Sequence, residues 1–185
     1  MARYIAFLRG INLGTRRLPM SRLKSLFEEL GFTNVSTFIA SGNVVFETKA
    51  KSADGGRLER QIEKHLASAL GYDVDTFIRS DRDLAAIVAF DPFPRLSKDG
   101  ANVHIAFLKE PIAPAVAKKF AAIGDHNDAF AVKNREYFWL RRGRMTDSKI
   151  WETSALKALK IPQGTMRNMT TIWKLAAKHA VIVPS

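Results

Sequence analysis

The segment Arg9-Gly10-Ile11-Asn12-Leu13-Gly14 puts a guanidinium, an amide and two glycines between a strand-like run and a helical pattern. Backbone N–H groups of such a loop can cradle an anion, and a flanking arginine can grip phosphate or carboxylate with two parallel hydrogen bonds. It is not a P-loop, because no Lys-Ser/Thr pair follows the last glycine. A plain turn using glycine for its backbone angles would read the same way. Ser41-Gly42-Asn43 adds a hydroxyl and a second amide, and is also a hairpin signal by turn chemistry. Arg9, Asn12, Ser41 and Asn43 are the candidate ligand contacts of the first half.

The second half is marked by charge. The 185 residues carry a formal net charge of +11, and residues 133–185 hold 11 basic side chains against 3 acidic ones. Tyr137, Phe138, Trp139, Trp151 and Trp173 are interleaved with these cations. Base stacking beside phosphate contact would use that mixture, and so would core aromatics flanked by solvated charge. Arg141, Arg142 and Arg144 surround Gly143 in a turn, where exposed side chains could meet nucleic-acid phosphates.

Other chemistry is poorly supported. There is no cysteine, which removes disulfides, thiolate metal sites and a cysteine nucleophile. His65, His104, His126 and His179 are scattered singly, without metal-helix spacing or a serine partner. No Asp-x-Asp-Gly pattern suggests a Ca²⁺ or Mg²⁺ loop. No metal and no cofactor is expected. No apolar run approaches the ~18 residues of a membrane span, and no membrane partner is expected. The opening Met1-Ala2-Arg3 runs straight into a strand-like segment without a signal-peptide pattern, so a cytoplasmic location is expected.

Several elements must position these residues. Tyr4 to Leu8 reads as a buried strand, and Leu23, Leu26, Phe27 and Leu30 mark one face of a helix that Gly31 can close. Runs at 34–39 and 44–47 read as a hairpin. Leu58, Ile62, Leu66 and Ala69 mark a second helix, and Val74 to Ile78 a fourth strand. The order β-α-β-β-α-β is ferredoxin-like. In that topology strands one and three are central neighbours, which brings residues 41–43 close to residues 9–12.

Ser80 or Asp81 opens a connecting helix, and Pro92 to Gly100 reads as a linker. Ile105-Ala106-Phe107-Leu108-Lys109 then repeats Ile5-Ala6-Phe7-Leu8-Arg9 almost letter for letter, followed by the same strand-helix-hairpin order. The chain is therefore expected to be α+β, with two tandem ferredoxin-like lobes and extra C-terminal helices. Its parts are a first lobe over 1–91, a linker over 92–101 and a modified second lobe over 102–185. The tail is expected to depart from the repeat, with a helix from about Asp147, a break at Pro162-Gln163-Gly164 and a last helix from about Asn168. A nucleic-acid module of the RNA-recognition type is not expected, because Gly42 to Phe46 lacks its aromatic pair.

Four segments together resemble the bacterial domain-of-unknown-function family 1697. They are Phe7 to Asn12, Phe38 to Phe46, Asp147-Ser148-Lys149, and Arg167-Asn168 with Thr171, Lys174 and Leu175. The resemblance spans residue 3 to about residue 180 and implies tandem α/β plaits, while implying no activity. This chain has Thr15, Ala40 and Met169 where the family often has glycine, glutamine and an aromatic. Lys149, Arg167 and Asn168 join the candidate ligand contacts through these segments. The expected function is binding of an anionic ligand, a small molecule or a nucleic acid. The alternative is a small enzyme acting on a phosphorylated or carboxylated metabolite at the same residues.

Overall fold

The computed structural model describes residues 1–12, 14–39, 42–49, 55–96 and 99–179. Strand β1 (Ala2–Arg9) forms from the apolar run that opens the chain, and its alternate side chains serve two faces. Tyr4, Ala6 and Leu8 join the core made with α1 (Met20–Glu28) and α2 (Gly55–Leu70), whereas Ile5 and Phe7 lie on the opposite face. Leu23, Leu26 and Phe27 of α1 and Leu58, Ile62 and Leu66 of α2 complete that core. The hairpin β2 (Thr33–Phe38) and β3 (Asn43–Thr48) and the strand β4 (Asp75–Ser80) give an antiparallel sheet of order β2-β3-β1-β4. Helix α3 (Asp81–Val88) follows at once, capped by reciprocal bonds between Ser80 and Asp83.

The second lobe runs β5 (Ala101–Phe107), α4 (Pro114–Ala121), β6 (Asp128–Lys133), β7 (Glu136–Arg142), α5 (Ser154–Leu159), β8 (Thr165–Asn168) and α6 (Met169–Lys178). Its sheet order, β6-β7-β5-β8, is that of the first lobe element for element. The correspondence extends to single bonds. Ile5 lies opposite Val45 and Arg79, and Ile105 opposite Phe138 and Arg167. Leu8 N–H donates to the Gly42 carbonyl at 2.8 Å, and Leu108 N–H to the Arg135 carbonyl at 2.8 Å. Both lobes are ferredoxin-like α+β units. Among the described residues the compact units are 1–89 with 175–179, and 90–174.

The tail completes the repeat instead of departing from it. The expected helix from Asp147 is two 3-10 turns, Met145–Asp147 and Ile150–Glu152, before the short α5. The two turns are separated at Ser148, whose hydroxyl is held by the Asp128 carboxylate at 3.2 Å. Strand β8 had no sequence signal of its own. Thr165-Met166-Arg167-Asn168 is too short and polar to show alternation, and its extended form comes from pairing with β5. Asn168 then opens α6, its side-chain oxygen accepting from Thr170 N–H at 2.8 Å, where Ser80 opens α3 in the first lobe.

Candidate functional site

The loop between β1 and α1 is held in shape by its own polar groups. Gly10 and Gly14 take positive φ angles of 78° and 60°. The Asn12 side-chain oxygen accepts from Leu18 N–H at 2.7 Å and so ties the loop across six residues. Tyr72 donates its hydroxyl to the Ile11 carbonyl at 3.4 Å, and the Arg16 guanidinium covers the Tyr72 ring at 4.0 Å. Arg17 donates to the carbonyls of Gly14 at 2.8 Å and Arg16 at 2.7 Å. An open depression at this loop is lined by Asn12, Arg17, Leu18 and Pro19.

The hairpin abuts this loop, as the strand order requires. Gly42, at φ 77°, lies so close that an added Cβ would stand 2.8 Å from Ile11 Cγ2 and 3.1 Å from Leu8 Cβ. Asn43 is fully buried and donates its amide to the Phe38 carbonyl at 2.9 Å, which makes it a staple of the turn. Arg9 pairs with Asp75 at 3.1 Å, with both side chains well exposed. Ser41 lies outside the described residues. Arg16 and Arg17 escaped the sequence reading, although an Arg-Arg pair two residues after the last loop glycine was a visible signal.

The candidates of the second lobe divide by burial. Lys149 is exposed. Arg167 is largely buried, and desolvation pushes its guanidinium down to about 10, still charged at neutral pH. It donates to Thr165 Oγ1 and to the Met166 carbonyl, each at 2.8 Å. Arg142 donates to the His126 carbonyl at 2.7 Å, and the exposed Arg144 pairs with Asp147 at 3.1 Å.

Arg141 corrects the expected exposed trio. It belongs to β7, where strand alternation turns it inward, and its side chain pairs with buried Asp128 at 2.9 Å. The same carboxylate accepts from Trp139 Nε1 at 2.7 Å and from the Ser148 hydroxyl. The aromatic interleaving is mostly core as well. Phe120, Phe130, Tyr137, Trp139 and Trp151 pack against one another, leaving Trp173 half-exposed beside exposed Lys174.

His104 packs on Trp139 with ring centroids 5.6 Å apart, and burial holds its imidazole below the ordinary value. Among the described residues no three His, Asp or Glu side chains come together as a metal site. No described helix is long and apolar enough to cross a membrane.

Fold and sheet register define a duplicated ferredoxin-like α+β protein with a cationic loop after its first strand. The chain belongs to the family described as "Protein of unknown function (DUF1697)", whose model matches residues 1–138. The structure of conserved bacterial protein SP0830 from Streptococcus pneumoniae is similar over 96% of this chain and 98% of its own, with a TM-score of 0.72. At 21% identity that likeness shows the fold. No curated protein matches the chain.

Proposed function

We propose that the protein binds a small phosphorylated or carboxylated ligand at the β1–α1 loop of its first lobe. The carrying observation is the state of Arg16 and Arg17. Both are exposed, and their contacts are main-chain carbonyls and an aromatic ring, with no carboxylate partner among the described residues. A guanidinium has five N–H donors, so each keeps donors for an incoming anion. Asn12 and Tyr72 hold the loop in place beforehand, which lowers the ordering cost of binding. Asn12 lines the depression, Arg9 ends β1 at the start of the loop, and Asn43 holds the neighbouring turn. The enzyme alternative would use the same loop, with Asp75 as the nearby carboxylate.

Half-exposed Trp173 beside Lys174 supports a second reading, in which single-stranded nucleic acid stacks on that helix face. One titration separates the two. Pyrophosphate, citrate and oligothymidylate are added in turn while backbone amide resonances are followed. The small-anion reading expects pyrophosphate or citrate to move Gly10, Asn12 and Gly14. Movement confined to Trp173 and its neighbours with oligothymidylate alone would overturn it.

A further inference from the structure

The two lobes finish the same strand edge differently. β4 and β8 hold the same outer position in their sheets, with Ile78 opposite Ala6 and Met166 opposite Ala106. An edge strand leaves alternate N–H and C=O groups facing outward. In the first lobe α2 closes the donor groups: Glu63 accepts from Thr76 N–H at 2.8 Å and Glu59 from Ile78 N–H at 2.9 Å. The match is geometric, since residues one helical turn apart and alternate residues of a strand are both separated by roughly 6–7 Å. The acceptor is closed by arginine, Arg79 donating to the Ile78 carbonyl at 2.8 Å.

The second lobe repeats the arginine and omits the glutamates. Arg167 donates to the Met166 carbonyl at 2.8 Å, in the place of Arg79. The helix in the place of α2 is α5, with 6 residues against 16, and Ser154-Ala155-Leu156-Lys157-Ala158-Leu159 contains no carboxylate. Met166 is the register counterpart of Ile78, and Gly164 precedes it by two residues as Thr76 precedes Ile78; among the described residues no side chain accepts from the N–H groups of Gly164 or Met166. Exposed Lys157 and Lys160 lie on and just after α5.

We propose that the outer edge of β8 docks an acidic helix of a partner protein, whose two carboxylates, one turn apart, accept from Gly164 and Met166. The first lobe shows what fills such a slot, because α2 does so there within the same chain. The net +11 of the whole chain favours an acidic partner and disfavours a second copy of itself.

The test uses the intact protein and a synthetic peptide of the α2 sequence, residues 55–70, with Arg57, Arg60 and Lys64 replaced by alanine so that it is acidic, and with both ends blocked. The expected result is a saturable downfield shift of the Gly164 and Met166 amide resonances. A control peptide with both central glutamates replaced by glutamine should bind about tenfold more weakly, since hydrogen bonds to charged acceptors are the stronger ones. Equal binding of the two peptides would overturn the proposal. So would shifts confined to Thr76 and Ile78, or none at Gly164 and Met166 at the highest peptide concentration.

Discussion

Asp128 shows how one side chain can decide the roles of three others. Its carboxylate is buried and accepts from Trp139, Arg141 and Ser148, which joins β6, β7 and the 3-10 segment at one point. Removing Arg141 strands that charge, so Arg141→Ala should lower stability by about 3–5 kcal/mol. Arg144→Ala should change it by less than about 0.5 kcal/mol, because an exposed pair contributes little. Urea unfolding of the two variants checks this, and equal losses would contradict the assignment.

His104 gives a pH dependence. Its folded-state imidazole is held below the ordinary value of about 6.5, so as pH falls the unfolded chain takes up the proton first. The stability His104 contributes is therefore complete above about pH 6.5 and is lost as pH falls through that value toward the lowered one. His104→Phe keeps a ring against Trp139 and removes the titration. Unfolding free energies at pH 8 and pH 5 should show the wild type losing more than the variant on acidification. At this scale the sequence was half legible. Asn12 and Asn43 stood out as polar loop residues, but nothing in Arg-Arg-Gly-Arg distinguished the arginine that a strand turns inward from those left in solvent.

Elements with a strong apolar period could be read directly, because burial dictated the period. β1, α1, α2 and the Ser80-capped α3 are of this kind. Elements created by their neighbours could not be read. β8 is extended because β5 offers it a partner, and the break between the two 3-10 turns falls at Ser148, which the Asp128 carboxylate holds. Gly42 lies between the two cases: its turn was legible, its tight contact with Ile11 was not. Gly42→Ala combines a left-handed φ with a Cβ 2.8 Å from Ile11 Cγ2, and should cost about 1–3 kcal/mol. Thermal unfolding within a degree of the wild type would show that the hairpin and the β1–α1 loop are not in firm contact.

The whole molecule is one design used twice, with the differences falling at the surfaces. Four repeated letters and an Arg/Lys pair after the linker signalled the duplication, and the sheets carry it through β8 and α6 to the counterparts of β4 and α3. What the second copy lacks is the arginine pair: Arg16 and Arg17 lie between β1 and α1, whereas Leu108-Lys109-Glu110-Pro111-Ile112-Ala113 lies between β5 and α4, its one cation matched by one carboxylate. That difference is why the proposed ligand is assigned to the first lobe. The most direct measurement is the melting temperature of the wild type and of Arg16→Ala/Arg17→Ala with increasing pyrophosphate. A ligand that binds only the folded state raises the melting temperature with its concentration. The wild type should show a rise that is lost in the double variant, with similar melting temperatures for both proteins when pyrophosphate is absent. An equal rise in both, or none in the wild type, would contradict the proposed site.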